Sequence, residues 1–247
     1  MESIYNLSHF KLFLLELYAF LIGVSKTGIP GVGILAIPLT AMILPAKAST
    51  GLILPMLIMG DIFAVTYYRR KAVWKYILRL LPFAATGIII GYFLMGKIND
   101  KQLSKFIGLV ILTILFLNWW WNKKEIKVPE KFYFAVIMGL FAGITTMMAN
   151  AAGPILIIYL LAMKLPKTEF VGTGAWYFFI LNWFKVPFSV NLGLINFYSL
   201  KLNLLLFPCV CIGAISGIFF LKKIPQKVFN QIVQILAFLS ALKLIFF

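Results

Sequence analysis

The sequence predicts an all-α integral membrane protein made of two homologous repeats, which we expect to be inverted. Of its 247 residues, 62% are hydrophobic and only 12% are charged, whereas soluble domains have roughly 45–50% apolar and about 25% charged residues. The 23 lysines and arginines outnumber the 7 acidic residues and lie in short gaps between apolar stretches, as in cytoplasmic loops of membrane proteins. This composition disfavours a soluble enzyme, a nucleic-acid-binding protein and a secreted disulfide-rich domain.

Internal similarity indicates that the chain is duplicated. Glycines, prolines and polar residues of one half recur in the other at a nearly constant offset, which is typical of repeats. Matched pairs are Gly23 and Gly143, Gly33 and Gly153, Pro45 and Pro166, Asp61 and Asn182, and Pro82 and Pro208. We therefore expect one integral membrane domain composed of a first repeat at 1–121, a charged linker at 122–131 and a second repeat at 132–247.

Each repeat contains five apolar stretches. In the first repeat they lie near 10–27, 31–44, 49–68, 76–96 and 103–121, and in the second near 132–148, 152–163, 168–188, 200–221 and 227–247. A spanning helix needs about 20 residues, and the third to fifth stretches of each repeat satisfy this requirement. The second stretch is shorter and begins at a break containing glycine and proline. The pattern predicts, in each repeat, a broken first helix pair followed by three spanning helices.

The two breaks are the strongest indication of function. Short, interrupted segments at matching places in two repeats point to the binding site of a transporter, because irregular backbone persists at membrane depth only beside protein or a water-filled cavity. A kinked helix without a ligand is the alternative. The first two stretches of each repeat could enter and leave the membrane on the same side, or could together make one crossing. More lysines and arginines lie on the cytoplasmic side in the first arrangement, and this charge bias favours inverted repeats.

The first break, at 25–33, has the features of an anion site. Glycines let backbone N–H groups approach a ligand, and a helix that begins at Gly31 directs unpaired N–H groups at the break. A charge deep in the bilayer costs about 2.5–3.5 kcal/mol, so Lys26 either binds an anion, forms an ion pair or extends to the interface. The residues predicted to bind substrate here are Lys26, Thr27, Gly28, Gly31, Val32 and Gly33.

The second break lacks a lysine, so the predicted site is asymmetric. Thr146 aligns with Lys26, and both Thr146 and Asn150 offer neutral hydrogen bonds to an oxyanion. The residues predicted to bind substrate here are Thr146, Asn150, Ala151, Ala152 and Gly153.

Polar residues in the third stretches are predicted to serve coupling or charge balance, namely Asp61, Asn182 and Lys185. Asp61 is interpreted as a proton carrier, as the counter-ion of Lys26 or Lys185, or as a helix-packing residue. Trp176 and Trp183 fall in the middle of a stretch and are candidates for lining a cavity. The sequence has neither metal-ligand spacing nor a nucleophile–base arrangement, so we expect no metal, no cofactor and no enzymatic activity.

At these breaks the chain resembles the TauE/SafE family of sulfite exporters. The resemblance rests on residues 23–38, on 45–51, on 139–154 and on Gly172-Thr173-Gly174. It implies a multi-pass transporter in the cytoplasmic membrane of a bacterium that moves small sulfur oxyanions or organosulfonates. We therefore expect a transporter of sulfite or thiosulfate, with organosulfonates such as sulfoacetate as further substrates, which alternates access around a midplane site and for which proton coupling is one option. An uncoupled small-anion channel is the alternative.

The expected partners follow from this interpretation. They are a small anionic substrate and the lipid bilayer, whereas nucleic acid is not an expected partner. Both a monomer and a homodimer are compatible with the sequence.

Overall fold

The computed structural model describes residues 9–32, 46–95 and 132–246, and all the regular elements in these segments are helices. In chain order they are α1 (His9–Thr27), α2 (Ala46–Tyr68), α3 (Trp74–Leu94), α4 (Phe132–Ala149), α5 (Gly153–Ala162), α6 (Lys167–Asn191), α7 (Phe197–Lys223) and α8 (Gln226–Phe246). The predicted all-α fold is confirmed in these segments. Most of the short stretch at 31–44, the stretch at 103–121 and the linker at 122–131 lie outside the described residues.

The described segments contain helices that can cross a membrane. The spans that are long and apolar enough are Thr50–Tyr68, Trp74–Leu94, Phe132–Ala149 and Phe197–Lys223. Large hydrophobic side chains on their outer faces are exposed, among them Phe93, Phe197 and Leu204. Exposed apolar surface of this extent is typical of contact with lipid rather than water.

Helix α5 is different, because it is short and enclosed. It has 10 residues, which correspond to about 15 Å at a rise of 1.5 Å per residue. Every residue from 154 to 160 is buried, as expected for a helix that is apolar on all sides and surrounded by protein. The short second stretch predicted for the second repeat is therefore a half-length helix inside the bundle.

Two helix pairs, α1 with α7 and α3 with α4, approach each other backbone to backbone through glycines. A Cβ atom at Gly23 would overlap the carbonyl oxygen of Val210, and one at Gly143 would overlap the carbonyl oxygen of Ala84. Small residues that permit such close approach are a common basis of helix association in membranes. Gly23 and Gly143 are one of the pairs matched in the sequence, and both make this kind of close backbone contact.

Helices α2 and α6 cross antiparallel to each other. At one end of the crossing a Cβ atom at Gly51 would overlap the backbone of Leu194, and at the other end Gly172 lies against Lys71. The beginning of α2 therefore lies beside the end of α6, and the end of α2 lies beside the beginning of α6. This crossing carries the polar side chains of the candidate site.

Candidate functional site

A cavity of about 150 Å³ lies between α1, α2, α4, α5 and α6. Both breaks contribute to its wall, the first through Ser25, Lys26, Pro30 and Gly31, and the second through Thr146, Ala149, Asn150 and Gly153. The structure therefore brings two segments that are remote in sequence to one enclosed space.

The first break is shaped by a glycine and a tyrosine. Helix α1 ends at Thr27, whose carbonyl oxygen accepts a hydrogen bond from the Tyr68 hydroxyl at 2.8 Å. The chain then turns at Gly31, which has a φ of 100°, a conformation that glycine adopts without steric cost. This turn leaves the end of α1, with Lys26 in its last turn, beside the cavity.

Lys26 and Asp61 form a buried ion pair at the crossing. The Lys26 Nζ atom lies 2.6 Å from Asp61 Oδ1, and the two side chains are 11% and 0% exposed. The second carboxylate oxygen, Oδ2, accepts a hydrogen bond of 2.6 Å from Asn182 Nδ2. Lys26 Nζ also lies 4.4 Å from the centre of the Phe178 ring, within the range of a cation–π interaction. Each oxygen of Asp61 therefore faces a donor.

A second lysine, Lys185 on α6, forms hydrogen bonds to residues of the second break. Its side chain is 1% exposed. Its Nζ atom donates to the carbonyl oxygen of Thr146 at 3.1 Å, to the hydroxyl oxygen of Thr146 at 3.1 Å and to Asn150 Oδ1 at 2.6 Å. An ammonium group has three donors and no acceptor, so these oxygens match the charged form of Lys185.

Asn150 fixes the backbone of the second break. Its φ of 52° lies in the left-handed region, which asparagine enters more readily than most residues. Its Oδ1 accepts from Lys185, and its Nδ2 donates to the carbonyl oxygen of Thr50 at 3.2 Å. One side chain thereby connects α6 with the beginning of α2 across the cavity.

Helix α5 adds positive potential at the cavity wall. It begins at Gly153 without a side-chain hydrogen bond to its first turn, and Gly153 lines the cavity. The unpaired N–H groups of a helix N-terminus carry a partial positive charge of roughly half an elementary charge. Together with the two lysines, this terminus suits an anionic ligand.

The structure places the predicted site residues in four groups. Those that line the cavity are Lys26, Gly31, Thr146, Asn150, Gly153 and Asn182. Asp61 and Lys185 lie directly behind this wall and are bonded to it. Val32, Ala151 and Ala152 belong to the breaks but do not line the cavity, and Gly33 lies outside the described residues.

Thr27 and Gly28 form the fourth group, because they face α7 instead of the cavity. The Thr27 hydroxyl donates to the carbonyl oxygen of Ala214 at 2.6 Å, and a Cβ atom at Gly28 would overlap the backbone of Gly217. Their structural role is thus to seat α1 against α7. The spacing of Gly213 and Gly217 on α7 is the sequence signal that could have indicated this contact.

The tryptophans that were candidates for the cavity are also elsewhere. Trp176 packs against Trp74, with ring centres 5.1 Å apart, and Trp183 is 51% exposed. Neither lines the cavity. A residue's position in the middle of an apolar stretch gives its depth but not its direction around the helix axis, which explains the error.

Sequence reasoning missed much of the cavity wall. Leu57, one turn before Asp61 on α2, and Phe178, one turn before Asn182 on α6, are examples. Residues three or four positions apart share a helix face, so counting back from the two polar residues could have found them. Further lining residues are Tyr18, Ile22, Thr50, Ile53, Leu156, Ile157, Leu160, Phe170, Val171, Gly174 and Ala175.

The chain was compared with protein families, with curated proteins and with solved structures. The family model described as Sulfite exporter TauE/SafE matches residues 15–244. No curated protein and no solved structure matches the chain. The family match includes both breaks, the α2–α6 crossing and all the residues that line the cavity. The chain therefore belongs to the TauE/SafE family of sulfite exporters, which are membrane transporters of anions.

Proposed function

We propose that this protein carries sulfite or thiosulfate, and organosulfonates such as sulfoacetate, across the cytoplasmic membrane of a bacterium. The observation that carries the proposal is the cavity between the two breaks, with Lys26 in its wall and Lys185 directly behind it. Family membership supplies the class of substrate. The substrate-binding residues in this proposal are the predicted ones that line the cavity, namely Lys26, Gly31, Thr146, Asn150 and Gly153. Thr27 and Gly28 act through the position of α1.

The chemistry of the cavity supports an anion as the occupant. A small oxyanion that leaves water needs donors to replace its hydration, since an unpaired charge in a protein interior is very costly. Lys26, the amide of Asn150 and the N-terminus of α5 are donors at the wall. The charged group of Lys26 is already paired with Asp61, so an anion that binds Lys26 competes with this carboxylate.

We place the two repeats in inverted orientation. Under exchange of the repeats, α1 corresponds to α4 and α7 to α3, so the pairs α1–α7 and α3–α4 are equivalent. Helices α2 and α6 are also equivalent, and they cross antiparallel with the matched residues Asp61 and Asn182 in contact. Antiparallel equivalents require a two-fold axis in the membrane plane, which is the symmetry of inverted-topology transporters. Repeats of parallel orientation would place α2 and α6 in the same direction.

Labelling from each side of the membrane tests this orientation. In a variant with Cys209→Ala and Cys211→Ala, we expect single cysteines at Ala72 and at Leu192 to react with an impermeant maleimide from opposite sides. Ala72 follows α2 and Leu192 follows α6, and these helices run in opposite directions. Reaction of both cysteines from the same side would contradict the inverted arrangement.

Transport in this proposal proceeds by alternating access. One repeat rocks against the other around the cavity, and the connections between repeats at the crossing, Asn150 to Thr50 and Asn182 to Asp61, are the ones that change. Asp61 balances the charge of Lys26 when no anion is bound. A proton that moves onto Asp61 would release Lys26 for the anion, which is how coupling to protons would operate.

An anion screen with a lysine variant tests the site. We expect sulfite, thiosulfate or sulfoacetate to raise the unfolding temperature of the purified protein more than chloride or phosphate does. Lys26→Ala is expected to weaken the affinity for the best anion at least about tenfold, since a lost charge-assisted hydrogen bond costs roughly 1.5–3 kcal/mol. Lys222→Ala, an exposed lysine at the end of α7, is the control and should bind as the unmodified protein does. Equal affinity of Lys26→Ala would remove Lys26 from the site.

Flux measurements in proteoliposomes distinguish the carrier from the channel. A carrier saturates with substrate, and a proton-coupled carrier also responds to an imposed proton gradient. Unsaturated single-channel currents would instead establish the uncoupled channel.

A further inference from the structure

We propose that the site selects singly charged anions over doubly charged ones, and that Asp61 sets this preference. The inference rests on the proposed function and concerns the charge state of the substrate. It follows from the charges around the cavity, from an unused acceptor in its wall and from the geometry of the crossing.

The charged groups at the cavity leave one positive charge unbalanced. Lys26 and Asp61 neutralise each other at 2.6 Å. Among the described residues, the Lys185 Nζ atom donates only to uncharged oxygens, those of Thr146 and Asn150. With Lys185 in the charged form that these three acceptors match, two ammonium groups face one carboxylate, and the excess formal charge is that of a single lysine.

In the part of the chain that the structure describes, no other charged side chain lines the cavity to compensate for this excess. Lys26 is the one charged residue in the cavity lining among the residues that the structure describes. The segment 33–45, which follows the first break, contains no charged residue in the sequence. Glu16 is on the same helix as Lys26 but ten residues earlier, about 15 Å along the axis at 1.5 Å per residue. A bound monoanion thus balances the formal charges of these side chains, and the α5 N-terminus adds its partial positive charge.

A dianion is disfavoured by this arrangement. The cost of removing an ion from water grows with the square of its charge, and an ion whose charge is not balanced inside the protein retains most of that cost. With Asp61 ionised, a dianion leaves one negative charge unbalanced beside a buried carboxylate. The dianion becomes acceptable only if a proton enters with it, and the total charge transferred is then again that of a monoanion. Thiosulfate and sulfoacetate, the proposed substrates that carry two charges, would therefore enter together with a proton.

An unused acceptor points in the same direction. Asn182 lines the cavity, is 1% exposed, and its Oδ1 atom has no hydrogen-bond partner among the described residues. A fully deprotonated dianion such as sulfate or thiosulfate has only acceptors and repels this oxygen. A singly charged oxyanion that retains its acid proton, or that carries an N–H group, has a donor for it.

The matched positions of Asp61 and Asn182 allow a sharp test. The two side chains contact each other across the crossing at 2.6 Å, and aspartate and asparagine have nearly the same shape. Asp61→Asn raises the excess charge of the site by one without removing side-chain volume. The exchange variant with Asp61→Asn and Asn182→Asp returns the carboxylate to the crossing and restores the original charge.

The experiment measures binding of sulfamate and sulfate to the full-length purified protein by calorimetry. These anions have similar size, but sulfamate carries one charge with N–H donors and sulfate carries two. We expect the unmodified protein to bind sulfamate at least about tenfold more tightly than sulfate. We expect Asp61→Asn to shift the ratio of the two affinities at least about tenfold toward sulfate, and the exchange variant to shift it back toward sulfamate.

Each outcome has a defined meaning. Sulfate binding to the unmodified protein as tightly as sulfamate, or an affinity ratio that Asp61→Asn leaves unchanged, would overturn the inference while the proposed anion site remains. If neither these anions nor those of the screen above bind, the proposed function fails and the inference fails with it. If Asp61→Asn does not fold, the unmodified protein and the exchange variant still decide the charge preference.

Discussion

Lys185→Met is expected to abolish transport while leaving the fold intact. The Lys185 ammonium holds Thr146 and Asn150 through three hydrogen bonds, and these residues form the second break. Methionine has similar length but no donor, so the break loses its connection to α6. We expect the rate of anion uptake to fall on the order of 100-fold, which corresponds to ~2.7 kcal/mol of lost stabilisation of the transport transition state.

The stability of this variant is expected to decrease moderately, because two effects oppose each other unequally. Removing a charge from membrane depth relieves a cost of roughly 2.5–3.5 kcal/mol, whereas each of the three lost hydrogen bonds to the charged group contributes about 1.5–3 kcal/mol. The Thr146 carbonyl keeps the backbone N–H of Asn150 as a donor at 3.1 Å, which limits the loss. We therefore expect an unfolding temperature somewhat below that of the unmodified protein.

Two measurements check this prediction. Uptake into proteoliposomes gives the transport rate, and thermal unfolding of the same preparation gives the stability. Lys222→Met serves as the matched control, because Lys222 is exposed at the end of α7 and should retain uptake. A Lys185→Met protein that transports at the unmodified rate would show that the hydrogen bonds of Lys185 do not shape the second break for transport.

The fold was predictable from the sequence because it depends on composition and periodicity. Apolar stretches of sufficient length gave helices close to the predicted bounds, for example Trp74–Leu94 for the stretch at 76–96. The interruption before Gly153 was also predictable, since glycine, proline and polar residues cluster there. Both features follow from local sequence and from the thickness of the bilayer.

Contacts between side chains of different helices were not predictable to the same degree. Asp61 could be the counter-ion of Lys26 or of Lys185 on sequence grounds, and the structure pairs it with Lys26. The hydrogen bonds of Lys185 to the second break depend on the rotation of α6 about its axis. The sequence specifies that rotation only through the sum of many packing contacts, and no single motif encodes it.

Gly23→Ala is expected to destabilise the protein more than the same change at Gly174, a helical glycine near side-chain atoms alone. A Cβ atom at Gly23 would meet the backbone of Val210, Gly213 and Ala214 on α7. Backbone atoms cannot rotate away as a side chain does, so α1 must move. Overpacking of a tight contact costs roughly 1–3 kcal/mol and occasionally more, and here the displaced helix also carries Lys26 away from Asp61.

Gly174→Ala on α6 is the control for this change. A Cβ atom there would lie 3.7 Å from Leu156 Cδ2 and 4.0 Å from Leu160 Cδ1, which are ordinary contacts with flexible side chains. Alanine in a helix is also favoured over glycine by roughly 0.8–1.0 kcal/mol. Thermal unfolding should therefore show a clear decrease for Gly23→Ala and no decrease for Gly174→Ala. Because Gly143 makes the equivalent contact with Ala84 on α3, Gly143→Ala should be destabilised to a similar extent. Equal stability of all three variants would mean that α1 and α4 are not held by backbone contact.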